Sequence, residues 1–167
     1  MTNFLKLPTW ADKAHVSVVI ETPRGSSYKR EFDEKLRVFT LAKPLTAGLT
    51  YPYDWGFIPS TRVEDGDPLD VLVIHDAGTH PGLVLQCKPI GILEVKENGK
   101  HKNKRERNDR LLAVPERSPV ACDLQDVRQL PSRAKEELAH FFQATDAFEP
   151  KCLNFWVGVV PMTRARG

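Results

Sequence analysis

Four carboxylates stand within seven residues in the stretch Glu64-Asp65-Gly66-Asp67-Pro68-Leu69-Asp70. Held together they repel one another, a cost relieved only by cations among them or by water around them. Gly66 and Pro68 predict a tight turn, so that the side chains of Asp65, Asp67 and Asp70 can converge. Oxygen donors at this density suit hard cations, Mg2+ above all when substrate phosphates complete the coordination shell. A solvated acidic turn explains a bare DxDxxD spacing equally well, and both readings stand at this level. A calcium-binding EF-hand loop does not fit. Its sixth position, which must be glycine, is Asp70, and an apolar strand follows at once.

The opposite charge is concentrated elsewhere. Residues 62–76 hold one base and five acids, a net −4, whereas residues 96–110 hold seven bases and three acids, a net +4. The overall balance of 24 Lys+Arg against 22 Asp+Glu hides both patches and makes no case for a nucleic-acid or membrane partner. The basic run KENGKHKNKRERNDR lacks the stacking aromatics that single-stranded nucleic acid requires, apart from His101. It reads as a solvated hairpin loop. His75 and His80 read as loop residues and His140 as a helix residue, with no paired-ligand spacing. No GxSxG, P-loop, GxGxxG or HExxH motif is present.

Around these groups the chain has the material for one domain over residues 1–167, with 41% hydrophobic content and 28% charged residues. Its 13 prolines are scattered from Pro8 to Pro161, which disfavours a long-helix bundle. Strand patterns run over His15–Glu21, with Val16, Val18 and Ile20 on one face, over Tyr28–Asp33, and over Val38–Leu41. The aromatic-rich Tyr51–Pro59 segment, broken by Pro and Gly, reads as irregular and extended. Further strands are expected at Asp70–Ile74, Leu83–Glu97, Leu111–Val114 and Asn154–Val160. One helix opens at Pro131 or Ser132 and runs to about Ala144, with Ala134, Leu138, Phe141 and Phe142 as its apolar stripe. Short strands followed by one good helix predict a small β-barrel with the helix packed on it. Cys87, Cys122 and Cys152 are an odd number without a CxxC pair and read as buried thiols of a reducing cytoplasm. The opening MTNFLKLPTWADK lacks a signal-peptide apolar run, and no stretch approaches 18 apolar residues, so no membrane partner is expected.

DGDPLDVLV (Asp65–Val73) resembles the motif of family I soluble inorganic pyrophosphatases, with all three of its aspartates in place. Other pieces follow in that family's order: VVIETP (Val18–Pro23), YKREFD (Tyr28–Asp33) and YPYDWGFIPST (Tyr51–Thr61). KPIGIL (Lys88–Leu93), LLAVP (Leu111–Pro115) and AHFF (Ala139–Phe142) complete a similarity running from about His15 to Val157. The resemblance implies an α+β, mainly β fold, a five-stranded OB-like β-barrel with a C-terminal helix packed against it. It implies hydrolysis of pyrophosphate with several Mg2+ ions, Mn2+ being an alternative, in a homo-oligomer that in bacterial relatives is commonly a hexamer. Carried over, Asp65 and Asp70 hold metals, Asp67 orients or deprotonates the attacking water, and Glu21 contacts the water around the metal. Lys29 and Tyr51 bind phosphate, Tyr51 within the catalytic group, and Glu31 belongs to the polar wall.

The chain departs from the pattern at several positions. Lys43 stands where a phosphate-binding arginine is expected and loses the bidentate fork. Trp55 replaces the second Tyr of YPxxYGFIPxT and cannot accept a hydrogen bond. A metal-binding aspartate becomes Glu97, and the next falls on Asn108, with Arg110 for a phosphate-binding lysine. Asp109, one step on, can act as a metal ligand only if the chain bulges locally. The Tyr-Lys pair after the helix becomes Thr145-Asp146. These changes leave Asp65, Asp67 and Asp70 intact and alter the third-metal and phosphate-holding positions. Hydrolysis of another phosphoanhydride or phosphoester, or binding with little turnover, are the alternatives.

Overall fold

The computed structural model describes residues 2–98, 105–119, 123–145 and 152–156, with the side chains of 96–98, 105–107 and 152–156 outside that description. The first strands are β1 (Val16–Thr22), β2 (Tyr28–Asp33), β3 (Val38–Pro44), β4 (Asp54–Ile58) and β5 (Leu69–Val73). They are followed by β6 (Val84–Asn98), β7 (Arg105–Arg107), β8 (Arg110–Pro115), helix α1 (Ser132–Thr145) and β9 (Cys152–Trp156). β1, β4, β5, β8 and β6 are neighbours in that order, and β6 pairs back onto β1 from Val16↔Cys87 to Val19↔Val84. The sheet thus closes into a five-stranded barrel, as expected. β5 and β8 run parallel, while β7 and β9 extend from β6 outside the ring.

Period-two alternation sorts the apolar side chains into two cores. Val16, Val18, Ile20, Ile58, Val71, Val73, Cys87, Leu111 and Ala113 come from all five barrel strands and fill its interior. Their alternates Leu72, Ile74, Leu112 and Val114 face outward and join Leu138, Phe141 and Phe142 of α1. A strand buried on both faces has no polar alternation left, which is why Val71–Ile74 is apolar throughout. Burial pushes the Cys87 thiol up to about 12, with the Asp54 carboxylate adding to the effect. Cys87 in the native protein is therefore expected to resist alkylation at mildly alkaline pH and to react only on unfolding, as peptide mapping after a timed iodoacetamide pulse would read. Cys122 lies outside the described residues, as does the side chain of Cys152.

One expected segment differs in kind. The part of Tyr51–Pro59 from Asp54 to Ile58 is a buried strand paired with both β1 and β5, not an irregular stretch. Gly56 interrupts the sequence pattern because it permits close approach: a Cβ there would lie 2.1 Å from the Val19 carbonyl oxygen. β1 carries an irregularity opposite it, since Ile20 pairs with Gly56 but Thr22 with Trp55, leaving Glu21 as the extra residue of a bulge. Of the last expected strand, residues 157–160 lie outside the described residues.

β2 and β3 form a separate two-stranded sheet. Phe32 and Phe39 anchor it, their rings 5.5 and 5.3 Å from Phe4, and Phe32 also lies 6.3 Å from Phe57 of the barrel. Thr22 ties the hairpin to β1, its Oγ1 accepting from the Arg30 N–H at 2.9 Å and donating to the Arg30 carbonyl at 3.0 Å.

Candidate active site

A cleft of about 320 Å3 opens where the 59–68 loop, the end of β1, the hairpin and the start of β8 meet. Among the described residues six carboxylates line it: Glu21, Glu31, Asp65, Asp67, Asp70 and Asp109. Two cations, Lys29 and Arg110, accompany them. Neither histidine nor cysteine is among the described lining residues, whose ligand atoms are carboxylate oxygens and whose charge is in negative excess. That chemistry fits a hard divalent cation and is unsuited to the softer nitrogen- and sulfur-seeking metals.

Local backbone bonding positions the acids. The Asp65 carboxylate accepts from the Asp67 N–H at 2.9 Å, and Gly66 takes φ +91°, a conformation that side-chain-bearing residues rarely adopt. Val63 N–H to Asp67 O at 2.9 Å closes the turn, while Thr61 Oγ1 accepts from the Leu69 N–H at 2.9 Å. β5 then carries Asp70 into the cleft. Glu21 reaches it because the β1 bulge takes this residue out of the regular ladder, and its carboxylate accepts from the Phe32 N–H at 2.8 Å.

In this arrangement the cations are already partnered. Lys29 forms an ion pair with Glu31. Arg110 Nε lies 3.2 Å from Asp70 Oδ2, and its Nη1 donates to the Asn108 carbonyl at 2.5 Å and to the Asn108 side-chain oxygen. The guanidinium carbon sits 5.1 Å from the centroid of the Trp55 ring. Burial pushes Glu21 up to about 8, with the Asp70 charge adding to the shift and the Phe32 N–H opposing it. Burial also raises Asp70 above the ordinary carboxylate range despite Arg110 and Lys29. A divalent cation in the cleft would offset both effects.

Not every expected residue lines the cleft. Lys43 is exposed on β3 opposite Lys29 and is not among the lining residues. Tyr51 is buried behind the wall, its ring 5.9 Å from Trp55 and 4.9 Å from Phe141. Burial and the charges of Glu31, Glu21 and Asp70 raise its hydroxyl above the ordinary value, so it stays protonated as a donor. The backbone of Glu97 pairs with Glu106 in the β6–β7 hairpin, but its side chain lies outside the described residues, as does Asp146. Thr145 Oγ1 donates to the Phe142 carbonyl at 3.1 Å at the end of α1.

Asp109 reaches the cleft without the expected bulge. Register is the same on both sides of it, Lys96↔Arg107 and Leu93↔Arg110, and regular strand structure lapses only at 108–109. The Asn108 N–H still donates to the Val95 carbonyl at 2.8 Å, yet Asn108 and Asp109 both line the cleft instead of alternating.

Two features were not anticipated from the chain. His75 is buried and hydrogen-bonded to the buried Asp54, which also accepts from the Arg24 N–H at 2.7 Å. Strand register brings the two together, and nothing in their separation of 21 positions signals it. The Trp55–Arg110 stack is the other. Asp12, His15 and Glu116 also bring potential ligand atoms within 4.8 Å of one another, but they lie outside the cleft lining.

The family model for inorganic pyrophosphatase matches residues 18–165 of the chain. An inorganic pyrophosphatase of Synechocystis is 37% identical over 146 residues, 87% of this chain and 83% of that protein. One from Aquifex pyrophilus is 39% identical over 146 residues, 86% and 77% of the two chains. The crystal structure of an inorganic pyrophosphatase from Thermus thermophilus superposes with a TM-score of 0.84 at 33% identity, covering 93% of this chain and 90% of that one.

Proposed function

We propose that this chain, which belongs to the inorganic pyrophosphatase family, hydrolyses inorganic pyrophosphate to two phosphates with Mg2+ as its working metal. The observation that carries this reading is the gathering of six carboxylates and two cations in one cleft. Asp65 and Asp70 are the central metal ligands, with Glu21, Asp109 and Glu97 as further ones. Mg2+, when bound, supplies charge neutralisation on the phosphates and eases deprotonation of water. Phosphoryl transfer asks little covalent help of the protein, so positioning and charge dominate. Asp67, exposed on the turn, orients the attacking water and accepts its proton at the carboxylate. Lys29 and Arg110 meet phosphate oxygens from the cleft wall and offset charge on the leaving phosphate. Tyr51 steadies the wall from behind through its ring contacts with Trp55 and Phe141, and Lys43, outside the cleft lining, has no direct role in this reading.

The same reading makes the chain one domain over residues 1–167, working in the cytoplasm as a homo-oligomer, a hexamer by family resemblance. No helix among the described residues is long and apolar enough to cross a membrane. The replacement of a phosphate-binding Lys by Arg110 and of a Tyr by Trp55 makes other phosphoanhydrides the competing substrates. The test is phosphate release from pyrophosphate, a nucleoside triphosphate and polyphosphate, with Mg2+ or with excess EDTA. Release from pyrophosphate that EDTA abolishes is expected. Release only from another substrate, or none with any metal, would overturn the proposal.

A further inference from the structure

Arg110 and Trp55 are both departures from the family pattern, and in the folded chain they touch. The guanidinium lies over the indole at 5.1 Å, its Nε is 3.2 Å from Asp70 Oδ2, and its Nη1 is held by Asn108. Arg110 and Trp55 are both buried, so this contact is shielded from the water that weakens surface pairs. A lysine could supply the charge but not this geometry. Its ammonium has no planar face to lie on an indole while one edge sits beside Asp70 and another donates to Asn108. Tyr at position 55 would offer a smaller ring than Trp, the best of the aromatic faces for a cation.

We infer that Trp55 and Arg110 act as one unit that holds Asp70 as an internal ion pair, so that a metal cation binding there must first displace the guanidinium. Arg110 is in this role a positioning residue for Asp70. Trp55 keeps the displaced guanidinium in the cleft, where it is ready for phosphate. The consequence is a weaker hold on metal before substrate arrives than the carboxylate cluster alone would give. This inference rests on Asp70 being a metal ligand, as proposed above.

Mn2+ alone tests it, with free ion followed by electron paramagnetic resonance on the full chain without substrate. Arg110→Gln is expected to tighten Mn2+ binding about three- to tenfold by freeing Asp70. Trp55→Leu is expected to tighten it about twofold in the wild-type background and not at all beside Arg110→Gln. Trp55→Phe, which keeps an aromatic face, should stay nearer the wild type. Should Arg110→Gln fail to fold, Arg110→Lys takes its place and is expected to tighten binding by a smaller factor. Unchanged or weaker Mn2+ binding in the Arg110 variant overturns the inference, as does an equal effect of Trp55→Leu in both backgrounds. Absence of Mn2+ uptake by the wild type would overturn the metal-site reading as well, which separates the two failures.

Discussion

Asp67→Asn is expected to lower phosphate release from pyrophosphate by about a thousandfold while leaving the fold intact. The magnitude follows from the loss of a positioned proton acceptor, worth about 10²–10⁴ in rate, or roughly 3–5 kcal/mol of barrier. The fold should be spared because Asp67 is exposed and its backbone contributions to the turn survive the substitution. Its N–H still donates to Asp65 and its carbonyl still accepts from Val63. An exposed, near-isosteric change of this kind typically moves stability by about 0.5 kcal/mol or less. Glu64→Gln is the matched control, removing one charge from the same exposed turn at a residue that does not line the cleft. It should change the rate by about twofold or less, the scale of a screened surface charge. Steady-state phosphate release and thermal melts on the three proteins decide the matter. Equal losses in Asp67→Asn and Glu64→Gln would reduce Asp67 to one charge among several.

Gly56→Ala is expected to destabilise the chain by about 4 kcal/mol or more, at the extreme of what one methyl group does. A Cβ at this position would lie 2.1 Å from the Val19 carbonyl oxygen, 3.0 Å from its carbon and 3.2 Å from Ile20 Cα. All three are backbone atoms of a paired barrel strand and cannot turn aside as a side chain would. Relief requires β1 and β4 to separate at the place where the bulge sets Glu21 and where Trp55 lies alongside Thr22. Activity should therefore fall together with stability. A melting temperature lowered by about 10 °C, or no soluble product, is the expected result. A melt within about 2 °C of the wild type would mean that the strands give way far more easily than close packing allows.

Much of the site could be read along the chain because it depends on short-range geometry. Asp65, Gly66, Asp67 and Asp70 sit within six positions, and the turn that presents them is made by its own residues. Helix α1 was legible for a similar reason, since Leu138, Phe141 and Phe142 recur at helical spacing. The strand at Asp54–Ile58 was not, because its glycine breaks the alternation and is explained only by β1 lying against it. Lys43 illustrates the reverse. Motif position places it among phosphate-binding residues, yet its strand sets it outside the cleft lining.

The sequence by itself determined the chemistry available to this protein: an acidic turn built for hard cations, the cations that accompany it, the barrel-and-helix class and the family resemblance. Only the tertiary structure decided who pairs with whom. It made Glu21 a cleft residue through a bulge, brought Asp109 in where the ladder lapses, paired Asp54 with His75, and laid Arg110 between Trp55 and Asp70. The physical reason is distance along the chain. Periodicity and turn chemistry act over a few residues, whereas a contact such as Trp55 with Arg110 exists only once strand register has been set by burying both faces of the barrel wall.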